Sequence, residues 1–406
     1  MKLKSLTILC CILLTGCSKS PETNPEILWD TYGVPHIYAD NYNDLFYAYG
    51  WSQMRNHGNL LLKLYAQARG QGAEYFGEKH LKSDQWVHTH NVMQRSRDWW
   101  KKQDPDIQKM ITAFTDGIND YAKENPDEID ELNQLILPVR PEDCFSHFQR
   151  VILFHFVTNP GVATFNPASM IKDRGSNTWA IGPSRSESGN AMLIANPHLP
   201  WFDMFTWFEA HTISHDLNAY GAGLVGMPFL GIAFNDYMGW SHTNNVHDGQ
   251  DLYELTLKGD GYQWGEEVLQ FEERSVEIKV RNGEGNTSAS EFLIRESVHG
   301  PVVSEKDGKA YALRVVGLDQ PHVFRQYFDM ARAKTLKSFQ DAIRPLQNPF
   351  FTIMYADKDG HIMHVFGGRT PIRPAGDWNW LGVVPGDSPE TIWNETHSYD
   401  ELPKSI

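Results

Sequence analysis

The sequence has few cysteines and no concentration of basic charge. Only four of its 406 residues are cysteine, and three of these fall within the first 17 residues. A disulfide framework is therefore excluded, and Cys144 is expected to be a small buried apolar residue. Acidic residues outnumber basic ones by 51 to 36, and no lysine or arginine cluster forms a basic face. This charge pattern excludes nucleic acid as the expected partner.

The common catalytic motifs are missing as well. The chain has no Gly-x-Ser-x-Gly elbow, no His-Glu-x-x-His, no Cys-x-x-Cys and no phosphate loop, so no cofactor for catalysis is predicted. One remaining option is a nucleophile that becomes the N-terminus of a cleaved chain. Its own α-amine, with a pKa of about 7.7–8.0, is suited to act as the general base.

No apolar run is long enough to span a bilayer comfortably. The first one follows Lys2 and Lys4 and ends at Cys17, which predicts a signal peptide over residues 1–16. Small residues before Cys17 resemble the lipobox of bacterial lipoproteins, in which that cysteine is lipidated, and Ser18 is compatible with sorting to the outer membrane. We expect a periplasmic protein held to the membrane by a lipid anchor. The alternatives are an ordinary signal peptide and, less favoured by the short run, a short membrane anchor.

The periodicity of apolar residues changes along the chain. Helical spacing prevails in the N-terminal part, where the segment beginning at Asp104 and Pro105 reads as a capped amphipathic helix. Short strand-like runs prevail from Asn177 onward and are interrupted by one amphipathic helix. Asp357 to Gly360 lie between two apolar runs, which favours a hairpin turn over a calcium loop. An α+β fold is therefore predicted.

The stretch from Arg174 to Trp201 contains two apolar runs separated by the turn-rich SRSESG. Such runs, bounded by Gly, Pro, Ser and Asn, predict a β-hairpin buried in the core. Ser176 stands on the first residue of its first strand. Taken alone, a serine at such a position is usually only a turn residue.

Motifs along nearly the whole chain resemble those of the penicillin acylase family of N-terminal-nucleophile hydrolases, in particular its aculeacin and acyl-homoserine-lactone acylase branch. They are WDTYGVPHIYA, YGWSQM, GSNTWAIGPSRS, ANPHLPW, GLVGMPFLGIAFND, GWSHTNN, VHGPV and YADKDGHIMHVFGGRTPIR. The resemblance implies an αββα sandwich and a precursor that cleaves itself between Gly175 and Ser176. The products would be an α/β heterodimer, with a mainly helical α-chain over residues 17–175 and a β-chain from residue 176 onward. The implied reaction is hydrolysis of a small N-acyl amide through an ester on Ser176.

The resemblance also implies roles for other residues. The backbone N–H of Asn244 would be one oxyanion donor, His198 would lie near the nucleophile, and Arg373 would hold the oxyanion residue and the substrate. The family's second donor is a side-chain amide at the position of Thr352, whose hydroxyl has a shorter reach. Asn348 is a substitute only if a register change or bulge turns it to the same side.

The segment with Asp248, Gln250 and Asp251 matches one that helps hold a structural calcium ion in some members. Read without the resemblance, the two aspartates are solvated loop acids, His198 is a turn residue and Arg373 is a surface charge.

Family β-chains continue well beyond the segment that matches the end of this sequence. We therefore expect residues 176–406 to form the N-terminal part of an incomplete core, as in a truncated product or a fragment. Two alternative functions stay open. One is a β-lactam or cephalosporin acylase, and the other is a catalytically degenerate lipoprotein that uses the scaffold as a binding module.

Overall fold

A computed structural model of the chain describes residues 25–158 and 175–406. The predicted signal peptide and Cys17 lie outside the described residues. Within the described ranges, no helix combines the length and the apolar character that crossing a bilayer would require. Helices prevail before residue 158 and strands after residue 175, so the predicted α+β fold is confirmed.

The helices of the described chain are numbered in sequence order. They are α1 Tyr42–Ala68, α2 Gly72–Phe76, α3 Leu81–Thr89, α4 Val92–Lys101, α5 Pro105–Glu124, α6 Glu131–Gln134, α7 Pro141–Phe148, α8 Val323–Arg332 and α9 Leu336–Ile343. A π-helix over Gln149–Val157 continues α7. Asp104 takes the N-cap position of α5 and Pro105 its first turn, as predicted, but the side chain of Asp104 makes no capping hydrogen bond to the helix. Cys144, in α7, is completely buried, also as predicted.

Helices α1 and α5 cross at two glycines. A Cβ atom on Gly50 would lie 2.0 Å from the carbonyl oxygen of Phe114, and one on Gly117 would lie 2.0 Å from that of Tyr47. Each glycine therefore allows the backbone of the other helix to approach closely. This contact fixes the centre of the helical layer that covers the largest sheet.

The strands are likewise numbered along the chain. They are β1 Glu26–Trp29, β2 Pro35–Tyr38, β3 Ser176–Ile181, β4 Met192–Pro197, β5 Trp207–Ser214, β6 Leu217–Leu224, β7 Ile232–Asn235, β8 Met238–Thr243, β9 Gln250–Lys258, β10 Gly261–Trp264, β11 Glu267–Gln270, β12 Glu272–Arg281, β13 Thr287–Ser297, β14 Gly300–Lys306, β15 Lys309–Val315, β16 Thr352–Asp357, β17 Ile362–Val365, β18 Val383–Pro385 and β19 Lys404–Ser405.

These strands form three sheets. The largest has the order β1-β2-β5-β6-β7-β8-β16-β17-β19, so strands from both ends of the described chain meet in it. A second sheet has the order β11-β10-β9-β15-β14-β13-β12, and β18 pairs with β9 in parallel. Asp357 ends β16 in the predicted hairpin turn, where its carboxylate accepts hydrogen bonds from the backbone N–H groups of Asp359 and His361.

Strands β3 and β4 form a separate two-stranded sheet that packs against β8 and β16. The predicted hairpin is confirmed, but its predicted burial in the core is wrong. The side chains of Trp179 and Ile194 lie opposite each other on the pair, and Trp179 is 52% exposed. Because side chains alternate between the faces of a strand, only one face of this hairpin packs on its neighbours.

Candidate active site

Ser176 lines a cavity of about 60 Å³ at the start of β3. Most of the wall is apolar, including Trp207, Met227 and Phe229. Phe229 stacks face to face on Tyr327, with the ring centroids 4.0 Å apart. An apolar cavity of this kind is suited to bind the hydrocarbon part of a ligand, and Ser176 places a hydroxyl group beside it.

The hydroxyl of Ser176 lies against the peptide bond that precedes it. Its Oγ donates a hydrogen bond of 2.7 Å to the carbonyl oxygen of Gly175. The strand pairing places Ser176 opposite Pro197. The hydroxyl is therefore adjacent to the carbonyl that it would attack in self-cleavage.

His198 follows directly after β4, beside the same peptide bond. If Gly175 carried a Cβ atom, that atom would lie 3.4 Å from Nδ1 of His198. The Nε2 of His198 is 3.0 Å from the side-chain nitrogen of Asn177. The side chain is exposed and does not line the cavity. His198 therefore lies near the predicted cleavage site, and Asn177 holds its ring.

A buried relay of three side chains borders the cavity. Asn348 Nδ2 donates to the hydroxyl of Tyr327 over 2.6 Å, and that hydroxyl lies 3.1 Å from His242 Nε2. Burial lowers the pKa of His242 to about 4, so its ring is neutral at pH 7. Because Tyr327 accepts from Asn348, its own proton goes to His242 Nε2, which leaves the ring proton on Nδ1.

Asn244 follows β8 and lines the cavity together with Ser176. Its side-chain Nδ2 is buried and makes no hydrogen bond with residues 25–158 or 175–406, which the structure describes. A buried donor without a partner normally costs free energy, and such an atom at a cavity often serves a ligand.

The structure does not bring Thr352 to this cavity. In the antiparallel pair of β8 and β16, Thr352 lies opposite Thr243, and Ile353 lies opposite His242. Opposite residues share a face, so the side chain of Thr352 is on the side away from His242. Asn348 is also committed elsewhere, because it bonds Tyr327 and accepts from the backbone N–H of Phe350.

Arg373 is part of a different cluster. Its Nε lies 3.0 Å from Oδ2 of Asp251, and its Nη2 lies 2.9 Å from Oδ2 of Asp248. The indole N–H of Trp393 also donates to Asp251, over 2.6 Å. Burial nevertheless raises the pKa of Asp251 to about 6 and raises that of Asp248.

The predicted calcium ligands do not fit a calcium ion in this arrangement. The guanidinium of Arg373 contacts both carboxylates and also donates to the backbone carbonyl of Asp248. A second cation would have to share these oxygens with a fixed positive charge, although Gln250 Oε1 is buried and has no partner in the described part of the chain. Among the described residues, no group of three or more His, Cys, Asp or Glu side chains could hold a metal ion.

A much larger cavity, of about 710 Å³, lies between the N-terminal helices and β12. It is lined by charged side chains such as Arg69, Arg140 and Lys279 and contains no serine, threonine or cysteine. We therefore place the candidate chemistry at Ser176. His242 and Tyr327 were not predicted from the sequence, because they are 85 residues apart and no motif joins them.

The chain is similar to known proteins over most of its length. The family profile described as penicillin amidase matches residues 24–406. An acyl-homoserine lactone acylase PvdQ from Pseudomonas fluorescens is 26% identical over 86% of this chain and 50% of its own length. An acyl-homoserine lactone acylase QuiP from Pseudomonas aeruginosa is 23% identical over 93% of this chain and 52% of its own length.

A solved structure is also similar. A thermostable penicillin G acylase from Alcaligenes faecalis aligns with a TM-score of 0.50 and 25% identity, over 56% of this chain and 41% of that chain. The chain spans about half the length of the curated relatives that it matches.

Proposed function

Because this chain belongs to the penicillin amidase family, we propose that the complete protein is an acylase that hydrolyses an N-acyl amide through an ester on Ser176. The single observation that carries this proposal is the position of the Ser176 hydroxyl. It is bonded to the carbonyl of Gly175 and opens onto an apolar cavity.

Maturation would begin at the Gly175–Ser176 bond. Ser176 Oγ attacks the carbonyl carbon of Gly175, the C–N bond breaks, and the chain is joined through an ester to Oγ. Water then hydrolyses that ester, which leaves a carboxylate on Gly175 and a free α-amine on Ser176. His198 is near enough to this bond to take part in the proton transfers.

The free α-amine would then serve the reaction with substrate. It takes the proton from Oγ as Oγ attacks the acyl carbon, and it returns that proton to the leaving amine when the tetrahedral intermediate collapses. Water hydrolyses the acyl ester and releases a carboxylic acid. The apolar wall favours an aliphatic or aromatic acyl group, because binding it removes apolar surface from water.

The experiment uses the complete protein and a series of N-acyl p-nitroanilides with acyl chains of increasing length. We expect two chains, the second starting at Ser176 by mass spectrometry, and release of p-nitroaniline. Ser176→Ala should remain uncut and inactive, whereas Ser186→Ala, in the exposed turn of the same hairpin, should behave like wild type.

An intact wild-type chain would contradict the processing step. A cleaved chain that releases no amine from any substrate would contradict the hydrolase proposal. That second result would favour the binding-module alternative, in which the apolar cavity holds a ligand without turnover.

A further inference from the structure

We propose that the side-chain amide of Asn244 is the second oxyanion donor of this site, so that one residue supplies both a backbone N–H and a side-chain N–H. This inference rests on the proposed function. It assigns the stabilising hydrogen bond to a group on β8 instead of a group on the neighbouring strand β16.

Asn244 Nδ2 is an unused donor at the cavity. It is buried, it makes no hydrogen bond within the described chain, and its residue lines the same small cavity as Ser176. An amide N–H left unpaired at a cavity gains a strong partner when negative charge develops on an oxygen nearby. Its benefit therefore appears in the transition state more than in the ground state.

The side chains of Thr352 and Asn348 face away from the cavity or are already hydrogen-bonded. Thr352 lies on the opposite face of the sheet, because it pairs directly with Thr243. The amide of Asn348 is bonded through its nitrogen to Tyr327 and through its oxygen to the backbone of Phe350. Neither can reach an oxyanion at Ser176 without breaking the pairing or the relay.

His242 is the remaining competitor, since it also lines the cavity and carries a proton on Nδ1. Its Nδ1, like Asn244 Nδ2, is buried and has no hydrogen-bond partner among the described residues, although the backbone of Thr352 partly offsets the effect of burial on the pKa of His242. The relay from Asn348 through Tyr327 holds the ring in this orientation. Because His242 is fixed through Nε2 and the side-chain amide of Asn244 makes no bond that holds it, we assign the donor to Asn244, and the variant His242→Phe tests this assignment.

The geometry of β8 explains why a single residue can act twice. Side chains alternate along the strand, so Asn244 continues the face on which His242 lies. Asn244 is also the first residue beyond the ladder between β8 and β16, which ends at the pair of Thr243 and Thr352, so its backbone N–H lies outside the paired register.

The test compares Asn244→Leu, Asn244→Gln and Thr352→Val in the complete protein, with kcat and KM measured per cleaved chain. Removing one oxyanion donor lowers kcat by about 10²–10³-fold, and we expect this loss in Asn244→Leu with KM changed less than threefold. Asn244→Gln should recover part of the loss because it keeps an amide. Thr352→Val should change kcat less than threefold.

A second measurement separates a donor from a structural role. Butylboronic acid accepts a lone pair from Ser176 Oγ, whose proton moves to the α-amine, and becomes a tetrahedral anion that imitates the intermediate. Pentanoate has the same hydrocarbon chain but remains planar. Asn244→Leu should weaken boronate binding by about 10²–10³-fold and leave pentanoate binding almost unchanged.

Several results would overturn the inference. These are full activity in Asn244→Leu, equal losses of boronate and pentanoate affinity, or a larger kcat loss in His242→Phe than in Asn244→Leu. If Asn244→Leu stays uncut, cleavage in Asn244→Gln decides the matter, because restored cleavage supports an amide donor and absent cleavage contradicts it. If the wild-type protein is inactive, the proposed function itself has failed.

Discussion

Arg373 forms an ion pair with Asp251 in which the carboxylate is completely buried, with Nε 3.0 Å from Oδ2. The pair joins the start of β9 to the segment that follows β17. The same guanidinium holds Asp248, so one cation satisfies two acids and crosslinks two parts of the chain that are 122 residues apart.

Replacing Arg373 should destabilise the protein strongly. Arg373→Met leaves a buried carboxylate without its partner, and losing one member of a buried pair costs about 3–5 kcal/mol of unfolding free energy. Arg344 and Asp400 form an exposed pair at 2.6 Å and provide the control, since Arg344→Met should change the stability little. Urea denaturation measures both variants, and equal stability of Arg373→Met and wild type would show that the cluster is dispensable.

The same cluster predicts the response to metal removal. Because Arg373 already neutralises Asp248 and Asp251, the melting temperature should be the same in EDTA as in millimolar calcium. Asp248→Asn serves as the comparison and should leave this insensitivity unchanged. A melting temperature that rises with calcium in wild type and not in Asp248→Asn would establish the calcium site that the family resemblance implies.

Buried histidines should make the protein sensitive to acid. Burial lowers the pKa of five histidines to about 3 or about 4: His90, His147, His242, His247 and His299. Each is protonated near pH 6.5 in the unfolded chain and stays neutral in the fold, so its contribution is lost as the pH falls from about 6.5 toward 4. Burial also raises the pKa of Asp84 and Asp251 to about 6 and raises that of Asp116, Asp248 and Asp329, which has the opposite effect. The histidines outnumber these aspartates among the described residues, because burial lowers the pKa of His57, His80 and His88 too.

The urea concentration at the unfolding midpoint should therefore decrease when the pH is lowered from 7 to 5. His299→Gln should reduce this slope, since it removes one of the five groups and keeps a polar side chain where His299 Nε2 now contacts the carbonyl oxygen of Gly386. A midpoint that rises on acidification would mean that the aspartates dominate.

The crossing of α1 and α5 should not tolerate a methyl group. Gly50→Ala and Gly117→Ala each place a Cβ atom 2.0 Å from a backbone carbonyl oxygen, which forces the helices apart. We expect a loss of about 1–3 kcal/mol or more for each variant. Gly283→Ala is the matched control, because nothing lies within 4 Å of its Cβ position, and it should be within about 0.5 kcal/mol of wild type.

Lipidation at Cys17 stays a prediction from the sequence. Cells labelled with a radioactive fatty acid should incorporate label into the wild-type protein. The Cys17→Ala protein should carry no label and should be recovered in soluble form. A wild-type protein without label would favour an ordinary signal peptide.

The sequence by itself determined the fold class, the family, and the elements with regular periodicity. Helix α5 and the turn at Asp357 were predictable because capping, apolar spacing and turn chemistry are local properties. The proposal that Ser176 is the nucleophile also came from the sequence, through the motifs that resemble the family and not through any single residue.

Only the tertiary structure decided which side chains meet at Ser176. The register between β8 and β16 turned Thr352 away, and the helix α8 brought Tyr327 to His242. The exposure of Trp179 and the pairing of Arg373 with two aspartates also escaped prediction. Each of these depends on contacts between segments far apart in the chain, and a one-residue change of register, which a local pattern does not specify, would reverse the face of every side chain on the strand.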